Sequence, residues 1–217
     1  MLRFVAAVAV AAALAVSAAP AIAHQGDPSF SSVLRSVEPR EPGLEVRVLN
    51  YDDSLELVNR TGRDVVVTGY DGEPYARLLA DGRVEVNRSS PAAYLNDERL
   101  GRVPVPAGAH AGAEPRWERV EGDGRFAWHD HRIHWMGSGR PPSVRDPSAR
   151  TKVFDYAVPL LVGDRPVKIH GTLYWVGEPG GGMPPVAIGA LAALAAAALA
   201  GALVVRRRRA RSSVPGR

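Results

Sequence analysis

The sequence predicts an all-β protein, an antiparallel Ig-like sandwich set between two apolar segments. Three observations predict it. Short runs alternate apolar and polar residues with a period of two, as strands with one buried face do. Asp-Gly and other glycine turns punctuate those runs. No stretch between residues 24 and 178 keeps a helical period for three turns.

The two ends come first, because they define what has to fold. Residues 1–23 carry one cation, Arg3, then an uncharged apolar run, and end in Ala21-Ile22-Ala23, the small-x-small pattern read by signal peptidase. The mature chain is therefore expected to begin at His24. A second uncharged run of 20 residues, 186–205, is apolar on every face. At 1.5 Å per residue it spans about 30 Å, the thickness of a bilayer core. Arg206, Arg207, Arg208 and Arg209 follow at once, and the positive-inside bias keeps such a cluster cytoplasmic. The expected layout is a type I membrane protein: signal peptide 1–23, extracytoplasmic β domain 24–178, Gly/Pro linker 179–185, transmembrane helix 186–205 and cytoplasmic Arg-rich tail 206–217.

Within the β domain, residues 44–48 alternate, Tyr51-Asp52-Asp53 turns the chain, and 55–58 returns. Arg60-Thr61-Gly62-Arg63 leads to 65–67, Asp71-Gly72 and Asp81-Gly82 are hairpin-type dipeptides, and 83–86 follows as another strand. The Pro- and Gly-containing stretch 96–115 either separates two β subdomains or crosses over one sandwich. Residues 126–135 read as a strand, 137–147 as a loop, and 153–161 with 167–175 as a hairpin around Gly163-Asp164. In the second arm Val167, Ile169, Gly171, Leu173 and Trp175 share the core face, which leaves His170 on the surface side.

Charge and composition exclude several function classes. The chain's net charge is +4, but all 23 carboxylates lie within 24–178 while seven of the 27 cations lie outside it, so the β domain itself is mildly acidic. No basic patch points to nucleic acid. With no cysteine there is neither a disulfide framework nor a thiolate nucleophile. The chain has no Gly-x-Ser-x-Gly elbow, no phosphate-binding glycine loop and no His-Glu-x-x-His helix.

The segment most suggestive of chemistry is Trp128-His129-Asp130-His131-Arg132-Ile133-His134-Trp135-Met136, with three of the six histidines. On a strand, His129 and His131 would share a face about 6–7 Å apart, close enough to converge on one ion. His134 has the opposite parity and could join only across a bend. The expected N-terminus adds a second reason: a free His24 offers its amine and imidazole together, a pairing that suits Cu(II), and Met136 could serve only Cu(I). The candidate metal ligands are thus His24, His129 and His131, with His134 in reserve. The competing account makes these histidines ordinary hydrogen-bonded residues. The segment 69–75, with Tyr70, Tyr75, Asp71 and Glu73, could line a binding face, although turn chemistry alone accounts for its glycines and proline.

The segments 69–78, 128–136 and 150–175 resemble an uncharacterised family of actinobacterial secreted proteins with a C-terminal membrane anchor. In layout the chain also resembles copper-handling envelope proteins of the CopC type, and residues 156–176 are similar to their last two strands. That resemblance implies a β-sandwich fold and an envelope location. Where the CopC-type turn reads Asp-Gly-His-Pro, this chain has Gly163-Asp164-Arg165-Pro166, so Asp164 alone carries over and the copper-binding histidine of the turn does not.

Three function classes follow. The first is a membrane-anchored, non-catalytic binding or scaffold module of the cell envelope with a protein partner. The second is a copper or other transition-metal binding protein using His24, His129 and His131. The third is a histidine-brace metalloenzyme with the same ligands and an open coordination position.

Overall fold

The computed structural model describes residues 26–178, together with scattered helical positions between 194 and 207. The signal segment, His24, the linker, much of the 186–205 run and the end of the tail lie outside the described residues. Among the described residues no helix is long and apolar enough to cross a membrane. The β domain and the C-terminal segment form separate compact units.

Ten strands and one helical turn build the domain: β1 (Phe30–Glu38), β2 (Leu44–Leu49), β3 (Ser54–Asn59), β4 (Val65–Thr68), β5 (Pro74–Leu78), β6 (Val84–Asn87), α1 (Ala92–Leu95), β7 (Trp117–Glu121), β8 (Arg125–His129), β9 (Thr151–Val162) and β10 (Arg165–Trp175). They form a seven-stranded sheet in the order β1-β10-β9-β4-β5-β6-β7 and a three-stranded sheet β2-β3-β8. Every strand pairing is antiparallel. The main core lies between the two layers, with Leu55, Leu57, Phe126 and Trp128 from the small sheet against Val65, Leu78, Val84, Val158, Leu160 and Ile169 from the large one. Residues on both sides of the 96–115 connection share that core, so the stretch crosses one sandwich-like body and does not divide two subdomains.

The β9–β10 hairpin matches its sequence pattern. Val167, Ile169, Leu173 and Trp175 are buried, as are Tyr156, Val158, Leu160 and Val162 across from them, while His170 is half-buried on the opposite side. Gly163 closes the turn at φ 58°, a conformation that glycine adopts without a steric penalty. β4 meets β9 only where Val65, Val66 and Val67 face Val162, Leu161 and Leu160. Pro159 comes next in β9, and a residue with no N–H to donate suits the place where a neighbouring strand ends.

Three strands lie where no alternation predicts them, and one of them is β5, which follows the Asp71-Gly72 turn. In β1 the apolar residues Phe30, Val33, Leu34 and Val37 have helical spacing, yet the segment pairs with β10 along its length. A register shift between Leu34 and Ser36 changes the parity, so that Leu34 and Val37 both reach the core. β7 is an edge strand with four of its five residues exposed, charged as free edges commonly are.

The expected strand 126–135 is shorter than predicted. β8 stops at His129, because the Asp130 carboxylate accepts the backbone N–H of Arg132 (3.0 Å) and the Ile133 N–H donates to the Asp130 carbonyl (3.0 Å), which folds the chain into an Asx-type turn. His131 is therefore not a strand neighbour of His129, and the same-face argument for the pair does not describe their arrangement.

Candidate functional site

The three histidines still gather at one end of the sandwich, held there by buried charge. The β2–β3 turn brings in Asp52 and Asp53, both nearly inaccessible to solvent. Asn50 and Tyr51 in that turn take positive φ values of 49° and 68°, which direct the two carboxylates inward and leave Tyr51 exposed. Arg99, from the long connection, donates to both oxygens of Asp52 (2.9 and 2.8 Å) and to Asp53 (3.3 Å). A third donor, the N–H of Asp27, approaches Asp52 at 3.2 Å. Burial pushes the Asp52 carboxyl up to about 6 against the pull of Arg99.

His129 closes this group from β8. Its Nδ1 lies 2.9 Å from the Asp53 carbonyl and 3.2 Å from the Asp53 carboxylate. One residue on, the fully buried Asp130 accepts from the Trp128 indole (2.9 Å) and from Arg132 Nε and Nη2 (both 2.7 Å). The Arg132 guanidinium also donates to the Thr68 carbonyl (3.1 Å) and lies 5.1 Å over the Tyr70 ring. Arg132 thereby ties the end of β4 to the 130–133 turn.

His131 and His134 sit beside this network. The His131 ring stacks on Tyr70 with centroids 5.4 Å apart and its Nε2 lies 3.1 Å from the Glu98 carbonyl, while the His131 backbone N–H donates to the Tyr70 hydroxyl (2.9 Å). The His134 ring stands edge-on to His131 at 5.5 Å. Its Nδ1 approaches the Trp135 carbonyl at 3.3 Å, while its Nε2 has no hydrogen-bond partner although the residue is only 1% exposed. Burial, with Arg99 adding to it, holds His134 down at about 4, and burial also lowers His131, so His134 is neutral near pH 7. His131, His134, Trp135 and Met136 form one wall of an open cleft of about 660 Å³, and Phe154 to Ala157 of β9 form the other.

Among the described residues no group of three or more His, Cys, Asp or Glu side chains is arranged to hold a metal ion. His24, the third ligand of the expected copper site, lies outside them. One ring nitrogen of each of the other two, His131 Nε2 and His134 Nδ1, lies against a backbone carbonyl.

The segment 69–75 is not an exposed binding face. Tyr75 and Glu73 are buried, Glu73 accepts from Ser90 Oγ (2.5 Å) and the Asp71 N–H (3.0 Å), and the Tyr70 hydroxyl donates to Asn96 (2.5 Å). Sequence reasoning also passed over Arg99 and the burial of Asp52 and Asp130. An Asp-Asp pair beside Tyr51 carries a turn signal, and nothing in the pattern marks those carboxylates as buried.

Fold and site together define an antiparallel all-β domain with a charge-locked loop end. No protein-family model matches the chain, and comparison with curated proteins and with solved structures returns no significant match.

Proposed function

We propose that this chain is a single-pass, membrane-anchored protein of the cell envelope whose β domain, an Ig-like sandwich, acts outside the cell as a non-catalytic binding or scaffold module. The observation that carries the reading is the distribution of charge. Every carboxylate falls within 24–178, and an uncharged 20-residue run followed by four arginines comes after that domain. The loop end supports the binding role: its buried carboxylates, Asp52, Asp53 and Asp130, are already engaged by Arg99 and Arg132, and the cleft beside them has aromatic walls suited to contact more than to acid–base chemistry. Protease added to intact cells is expected to remove the β domain and leave a small membrane-bound fragment ending at Arg217. A β domain that is cut only after lysis would reject the reading.

A second reading, a Cu(II)-binding protein, has one observation in its favour. His129, His131 and His134 each direct one ring nitrogen at a backbone carbonyl, the contact that commonly orients metal-ligating imidazoles. Calorimetric titration of the mature chain should show one Cu(II) bound, with affinity falling at acid pH as protons compete for the imidazoles. The His129→Ala/His131→Ala variant should lose it. Equal binding by both proteins would sink the copper reading.

A further inference from the structure

The loop between β8 and β9 is fastened to the place where the chain leaves the β domain. Val144 packs with Phe30, Leu173 and Trp175 in a small core of its own. The Trp175 indole donates to the Pro147 carbonyl (2.9 Å), and the Val176 N–H donates to the Ser29 carbonyl (2.8 Å). The residues that hold this loop are thus the last residues of the domain.

That same end carries a concentration of cations in a domain that is otherwise acidic. From 137 to 150 there are three arginines, Arg140, Arg145 and Arg150, against the single carboxylate of Asp146. All three are exposed, and among the described residues none has a carboxylate within 4 Å. The Arg150 guanidinium lies 3.9 Å over the Tyr174 ring, one residue before the strand ends, and Arg140 shares a surface depression with Trp135, Trp175 and Glu178. Two of the few large apolar side chains exposed on the domain, Met136 (38%) and Val176 (40%), flank the loop and the exit.

We infer that this end of the domain is a bilayer contact, in which Arg140, Arg145 and Arg150 engage the phosphates of anionic phospholipid headgroups and Met136 and Val176 meet the interface. The inference rests on the anchored reading above. Seven residues, 179–185, separate the domain from the apolar run. Fully extended they reach about 25 Å, so an anchored chain would tether this end within that distance of the lipid. An anionic surface attracts each nearby arginine and loses that attraction beyond a Debye length of about 10 Å, which makes the contact sensitive to salt. Elsewhere on the domain most arginines are already paired with carboxylates, which would weaken any competing orientation.

The test uses the full chain in lipid nanodiscs of phosphatidylcholine alone or mixed with phosphatidylglycerol, read by hydrogen exchange of the 137–150 amides. Exchange should be several-fold slower in the anionic discs at low salt, and the slowing should vanish at high salt and in Arg140→Gln/Arg145→Gln/Arg150→Gln. A control that removes equal charge elsewhere, Arg40→Gln/Arg102→Gln/Arg116→Gln, should keep it. Unchanged exchange of the β10 amides verifies that both variants are folded. Inorganic phosphate added to phosphatidylcholine discs should have no effect. Equal exchange in the two lipids, equal loss in the control variant, or full protection by free phosphate would each overturn the contact. A chain that elutes apart from the discs would instead overturn the anchored reading, and the contact with it.

Discussion

A carboxylate shut off from solvent, as Asp52 is, keeps its charge only while a cation stays beside it. Arg99 is that cation, and it meets both carboxylate oxygens. Arg99→Ala should therefore cost about 3–5 kcal/mol near pH 7, the range for removing one partner of a buried pair. The loss should be smaller at acid pH. Burial already raises the folded Asp52 pKa above its unfolded value, so this group favours the folded state below about 3.8 and loses that contribution as pH rises through about 6. Without Arg99 the folded pKa rises further, and the penalty grows between pH 4 and 7. Urea melts of the two proteins across that range check it; a penalty independent of pH would show that Asp52 is not the group left behind. At this scale the sequence was least legible. Asp52 and Asp53 look like turn residues, and their burial depends on Arg99, 46 and 47 positions away in the chain.

Strand pairing turns on smaller features than alternation reveals. Tyr156 lies across Gly171, its register partner in β10, to reach Ser32 in β1, whose hydroxyl donates to it at 2.7 Å. A Cβ on Gly171 would run into the Tyr156 ring. Gly171→Ala should thus destabilise the domain by about 1–3 kcal/mol, as overpacking a tight core does, measurable as a lower urea midpoint with unchanged slope. In a Tyr156→Ala background the same substitution should cost much less, because the obstructed ring is gone; equal costs in both backgrounds would place the strain elsewhere. The hairpin that holds this contact was readable because β9 and β10 alternate cleanly over most of their length. β1 was not, since one extra residue in the ladder disguises a strand as a helical pattern, and β7 was not, since an edge strand has almost no buried face to betray it. The end of β8 also escaped notice, because a single Asp130 side chain decides it.

For the whole molecule, the sequence revealed the class and the two apolar segments but not the number of cores, because a long Pro- and Gly-containing connection looks alike whether it joins two bodies or crosses one. The same lack of local cues marks the closure of the large sheet, where Phe30 pairs with Trp175 and the first strand is zipped to the last. A chain made from its N-terminus therefore produces β1 well over a hundred residues before its partner exists. Until β10 is complete, β1 exposes a bare edge and Phe30 has no Trp175 to pack against. The sheet can close only after synthesis of the domain is finished, and such distant pairing is slow as well as late. An unpaired β1 in the unfinished chain is the cost of joining a domain at its two ends with no disulfide to hold them meanwhile.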